Sequence, residues 1–113
     1  MNGYLKVICS KAAITQTQRK VIDFFSKFGI SEYKKNDVVP YWKDLSCAVL
    51  EYQFKVLSPE VNEMKEELAH MSGAQQTDII IDGDSYEIDC YNSQQSMLNN
   101  HDLFFSICYI SKT

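Results

Sequence analysis

TDIIIDGDSYEIDCY, residues 77–91, decides how this 113-residue chain is to be read. Ile79 and Ile81 stand two apart between Asp78 and Asp82, Asp82-Gly83-Asp84 supplies turn residues that tolerate positive φ, and Tyr86, Ile88 and Cys90 alternate with polar neighbours. That pattern predicts a β-hairpin. Side chains on a strand return to the same face every second residue. Asp78 and Asp82 therefore share one face of the first strand, and Glu87 and Asp89 share one face of the second. With Asp84 in the turn, five carboxylates fall within fifteen residues, and no Lys or Arg accompanies them. One side of the hairpin is expected to be apolar and the other to be an acidic plate.

The flanking segments extend the same logic. SCAVLEYQFKVL, residues 46–57, is the plainest strand: Ala48, Leu50, Tyr52, Phe54 and Val56 share one face, and Glu51, Gln53 and Lys55 the other. Such a strand covers a core on one side and meets water on the other, as antiparallel sheets allow. Ser58-Pro59-Glu60 then predicts a helix start, with Ser as N-cap, Pro at the first helical position and an acid near the positive end of the dipole. Val61, Met64, Leu68 and Met71 make its buried stripe, Gly73 ends it, and Glu60, Glu63, Glu66 and Glu67 make its outer face acidic. Nearer the N-terminus, YLKVIC at 4–9 reads as a strand. A helix follows, from a Thr15-x-x-Gln18 capping box to Gly29. Its expected inner stripe is Val21, Ile22, Phe25 and Phe28, with Phe24 at the edge.

Residues 30–46 contain Pro40 and the run Lys34-Lys35-Asn36-Asp37, which predicts a surface loop with room for a short edge strand over 38–42. Trp42, the single Trp, is expected to plug one end of the core or to anchor a contact. Residues 92–102 read as a polar loop with a helical turn over 96–99. Residues 103–110, LFFSICYI, are apolar on both faces, as a central strand covered on both sides, or hidden on one by a partner, would be. The element order predicts one α+β domain spanning 1–113, a two-layer sandwich of a mainly antiparallel sheet with two helices on one face. Its start is loosely ferredoxin-like, with extra strands.

Charge is unevenly distributed. Residues 1–57 carry nine Lys or Arg against five Asp or Glu, and residues 58–113 carry two against ten; +4 and −8 sum to the net −4. An acidic protein is a poor candidate for nucleic acid, because that affinity comes from Lys and Arg displacing counterions. It is a better match for a basic protein surface. No run of seven apolar residues precedes Lys11, no segment is long enough to span a bilayer, and Cys9, Cys47, Cys90 and Cys108 lie in apolar runs without C-x-x-C. The expectation is a soluble cytoplasmic protein with free, buried thiols and no membrane partner.

Motifs for catalysis are missing. His70 sits near a helix end and His101-Asp102 in a loop, neither in a zinc-binding spacing. His101-Asp102 is the single pair resembling an oriented general base. Phosphate loops and nucleophile elbows are absent, and cysteines in apolar strands are not activated nucleophiles. No enzyme and no cofactor is expected. Asp82, Asp84, Glu87 and Asp89 are hard oxygen ligands suited to Mg²⁺ or Ca²⁺, but Ile79 to Ile81 break the spacing of a calcium-binding loop. Three uses of the acidic plate remain open: a solvated face that protects an edge strand, recognition of a basic protein, and metal binding.

Asp78, Asp82, Asp84, Glu87, Asp89 and Tyr91, with the Glu60, Glu63, Glu66 and Glu67 helix face as a second acidic surface, carry a resemblance in overall character. A short, acidic, Tyr-rich α+β chain without catalytic residues resembles the immunity proteins that protect bacteria from their own toxins, including those of contact-dependent growth inhibition systems. The resemblance implies an inhibitor of a cognate toxin, often a nuclease, with the carboxylates and Tyr86, Tyr91 and Trp42 binding the partner. The competing expectation is a dimeric α+β domain that binds a small molecule or metal, using the apolar faces of 103–110 and 46–57.

Overall fold

The protein is described by a computed structural model covering residues 1–72, 76–91 and 103–112. Among the described residues, ten elements follow one another: β1 (Asn2–Ser10), a 3₁₀ turn (Lys11–Ala13), α1 (Ile14–Lys27), β2 (Tyr33–Lys35), β3 (Val39–Tyr41), β4 (Asp44–Lys55), α2 (Val61–Ser72), β5 (Gln76–Asp82), β6 (Ser85–Tyr91) and β7 (Leu103–Ser111). The strands form one seven-stranded antiparallel sheet in the order β2-β4-β1-β7-β6-β5, and β3 pairs with β4 beside β2. The two helices lie on one face, giving the two-layer α+β sandwich that the element order predicts.

The sheet divides between β1 and β7. Residues 1–57 supply β1 to β4 on one side of that line, and the remainder of the chain supplies β5 to β7 on the other. The charge imbalance along the sequence is therefore an imbalance in space.

The ferredoxin-like likeness ends at the element order. A split βαβ unit keeps a strand between the two that flank its helix. Here β1 and β4 are direct antiparallel neighbours from Asn2↔Lys55 to Ser10↔Cys47. Residues 28–43 give the chain room to reverse before it enters β4.

On the helix-facing side, Leu5, Val7 and Cys9 of β1 meet Ala48, Leu50, Tyr52 and Phe54 of β4, Ile88 and Cys90 of β6, and Cys108 and Ile110 of β7. The period-two reading of β4 holds for this face. Gly3 stands opposite Phe54, whose ring lies where a Cβ on Gly3 would sit. The glycine makes room for an aromatic side chain across the strand.

In α1 the buried stripe is Thr17, Val21, Phe24 and Phe25, while Ile22 is 46% exposed. The stripe is rotated from the expected one because Phe25 docks into a ring cluster formed by Tyr33, Tyr52 and Phe54, with centroids 4.9, 5.7 and 5.1 Å away. The helix opens behind a 3₁₀ turn with Ala13 at its N-cap and no side-chain cap, so the capping box at Thr15 does not form. Its end matches the sequence. Gly29 adopts φ 67°, its N–H donates to the Ser26 carbonyl, and the Ile30 N–H donates to the Phe25 carbonyl, which together make a Schellman cap.

Helix α2 starts two residues later than Ser58-Pro59 predicts, with the Met64 N–H donating to the Glu60 carbonyl at 2.9 Å. The N-terminal ammonium of Met1 and the Val56 N–H hold the chain to the sheet as far as Val56, leaving residues 57–60 to cross into the helix layer. Met64 and Leu68 are buried as expected, and Lys27 of α1 pairs with Glu67 of α2 at 2.7 Å. Among the described residues, no helix is long and apolar enough to cross a membrane. The expected helix end at Gly73, the helical turn over 96–99 and the His101-Asp102 pair lie outside the described residues.

Candidate functional site

The face of the sheet away from the helices is built by the other half of each strand's alternation. Hairpin β5–β6 is in register from Gln76↔Tyr91 to Asp82↔Ser85, so Asp78 stands opposite Asp89, and Ile80 opposite Glu87. Gly83, with φ 60°, permits the two-residue turn. Ile88 and Cys90 point into the core beneath α2. Asp78, Ile80, Asp82, Glu87, Asp89 and Tyr91 therefore share the open face. The row continues across the sheet: Glu87 is opposite Tyr109 and Asp89 opposite Ile107 on β7, and these are opposite Tyr4 and Lys6 on β1.

This juxtaposition is electrostatically unfavourable. Like charges directly opposite on neighbouring strands destabilise a sheet. Lys6, the basic residue of that row, lies two strands from Asp89, about 10 Å at the usual strand spacing. Among the described residues, no ion pair joins Asp78, Asp82, Glu87 or Asp89 to a Lys or Arg; Asp84, at the turn, pairs with Lys112 at 3.4 Å. Burial first, and then the carboxylates of Glu87 and Asp78, push the Asp89 pKa above its ordinary value. Among the described residues, its buried Oδ1 has no hydrogen-bond partner.

The structure brings together most of the residues that the sequence singled out, but not all. Tyr86 lies on the opposite face, partly buried against the core, because it alternates with Glu87. Trp42 is 79% exposed in the β3–β4 turn, so it does not plug the core. Lys43 Nζ sits 5.1 Å from its ring centroid. Five strand spacings separate β3 from β5, roughly 24 Å, so Trp42 and the carboxylates form no common patch. The acidic face of α2, with Glu60, Glu63 and Glu66 exposed, looks out from the other layer.

Ile80, 51% exposed, and Tyr109, 42% exposed, belong to the open face and were not among the expected site residues. The alternation of β5 places Ile80 with the acids, but only the sheet order brings Tyr109 beside Glu87. The open face is also drier at its far end than the β4 alternation predicts: Ile8, Cys47 and Val49 are buried there with Tyr41 packed against them.

Other chemistry is less well supported. Among the described residues, no three carboxylate, His or Cys side chains converge to hold a metal ion. Burial pushes the Cys90 thiol up to about 11 and Cys108 up to about 12, which disfavours the reactive thiolate. A shallow groove of about 460 Å³ lies at the end of the sheet remote from the Ile8 cluster, lined by Asn2, Tyr4, Gln53, Lys55 and Tyr109 among others. Comparison with protein-family models, with curated proteins and with solved structures finds no match.

Proposed function

We propose that this protein is a stoichiometric inhibitor, of the kind that immunity proteins represent, which binds a basic partner through the open acidic face of hairpin β5–β6. The partner class we favour is a toxin domain with a basic, substrate-binding cleft, such as a nuclease. The observation that carries the reading is the Asp78–Asp89 opposition with Glu87 and Asp82 on the same face. These carboxylates have no cationic partner among the described residues, at some cost to stability. Rules broken locally in this way concentrate at functional sites. A surface of Lys and Arg would relieve the repulsion on binding, and the acidic half of the molecule would steer it into contact.

The test is capture from a native lysate, including the product of the neighbouring gene, at low salt and again at about 0.5 M, where screening is strong. One stoichiometric basic protein, bound faster at low salt, supports the reading. A chain that captures no protein and elutes with a small molecule bound overturns it. That second outcome would favour a ligand-binding domain, for which the groove beside Tyr4 and Tyr109 is the supporting observation.

A further inference from the structure

The two edges of the sheet are finished differently. On one, the outer side of β4 is occupied by β2 and β3, each three residues long. They carry Lys34, Lys35 and Pro40, and the register shifts between Pro40 and Tyr41. Short strands, lysines, proline and irregular register are the devices that stop an edge from recruiting further strands.

The other edge has no short strand, lysine, proline or register shift, and its charges are Asp78 and Asp82. Strand β5 pairs with β6 alone among the described residues, over seven consecutive positions without a register shift. It contains no Pro, Lys or Arg, and Ile79-Ile80-Ile81 runs through its centre. Ile80 and Ile81 are 51% and 66% exposed. A regular, β-branched strand whose backbone is paired on one side alone among the described residues is a template for strand addition.

Charge chooses the occupant. A second copy pairing its own β5 antiparallel about Ile80 would set Asp78 against the Asp82 of that copy, twice over. Those oppositions repel, so the edge is guarded against itself. A strand with Lys or Arg opposite Asp78 and Asp82 meets the reverse situation. Its basic residues stand four apart on the open face, and the three residues between them pack against Ile79, Ile80 and Ile81. The pattern reads the same in both chain directions.

We infer that the free edge of β5 accepts a β-strand from the basic partner, with Lys or Arg bracketing three β-branched or apolar residues. The inference rests on the reading that the acidic face binds a basic protein, and it deepens that reading by adding backbone pairing to charge attraction.

The experiment uses the full chain and a synthetic peptide with lysine at both ends of a valine-isoleucine-valine core, capped at its termini. Two further peptides carry N-methyl groups on alternate residues, one in each of the two frames. Both keep every side chain, and only one frame blocks the amides that face β5. Binding is read by fluorescence anisotropy and by amide hydrogen exchange of residues 76–82. The expected result is slowed exchange in β5, with affinity lost at least about tenfold in one methylated frame and kept in the other, since several backbone hydrogen bonds are removed together. Reversing the charges with Asp78→Lys and Asp82→Lys should abolish binding of this peptide and admit its glutamate-ended counterpart.

Equal binding of all three lysine peptides would overturn strand addition and leave the acidic face as a purely electrostatic surface, with the inhibitor reading intact. No binding, or slowed exchange elsewhere than β5, would also overturn it. The inhibitor reading fails separately, on the absence of a captured basic partner.

Discussion

Asp78 and Asp89 face one another across the β5–β6 pair, on the side of the sheet that the helices leave open. Replacing one of them should stabilise the protein. Asp78→Asn is expected to raise stability at neutral pH and low salt by about 0.2–1 kcal/mol, the range for cross-strand pairs. Urea midpoints measured with and without salt check this, because screening should shrink the gain.

Asp89 also sets a pH dependence, through its burial first and then the neighbouring carboxylates of Glu87 and Asp78. Asp89 has its folded-state pKa raised, so the native state binds its proton more readily than the unfolded chain does. Its contribution opposes folding above the raised pKa and is relieved as pH falls through that value towards the unfolded one. Asp89→Asn should therefore be more stabilising at neutral pH than in the acidic carboxylate range. A difference that grew on acidification would contradict the assignment.

If hairpin β5–β6 is the contact surface, Asp82→Asn with Glu87→Gln should slow association with the captured basic partner and flatten its salt dependence. Stability should change by less than about 0.5 kcal/mol, as is usual for surface changes. Trp42→Ala, at the other edge of the sheet, should leave the association rate alone. Stopped-flow kinetics at two salt concentrations would separate the two, and unchanged rates in the double variant would remove the hairpin from the interface.

Packing makes a prediction independent of function. Phe25 is fully buried among Tyr33, Tyr52 and Phe54, so Phe25→Ala should cost about 3–5 kcal/mol. Gly3→Ala adds one methyl group against the Phe54 ring and should cost about 1–3 kcal/mol by overpacking. Combining Gly3→Ala with Phe54→Leu should recover part of that loss, which a double-mutant cycle measures.

The thiols offer a chemical check on the fold. Cys9, Cys47, Cys90 and Cys108 are all buried, and burial is the first cause of the raised pKa at Cys47, Cys90 and Cys108. Thiol-reactive reagent at about pH 8 should label the native protein slowly and the urea-unfolded protein at all four sites. Rapid labelling of Cys90 or Cys108 in the native state would contradict their place under the helices.

The hairpin with its acidic plate, the inward face of β4 and the glycine stop of α1 were legible in the amino-acid order, because each depends on local periodicity or on a residue that tolerates positive φ. Tertiary structure decided the rest. Phe24 replaced Ile22 in the core because the ring cluster around Phe25 sets how α1 is rotated. Ser58 lost the cap of α2 because the sheet holds the chain as far as Val56. Tyr86 went to the core side and Trp42 to a turn at the far edge, so of the three expected aromatic anchors Tyr91 alone lies on the face that carries the carboxylates. The sequence alone showed that basic residues precede and acidic residues follow. Only the strand order, with β1 to β4 on one side and β5 to β7 on the other, turned that asymmetry into an acidic side of the molecule, because pairing across distant residues is not written in any local pattern.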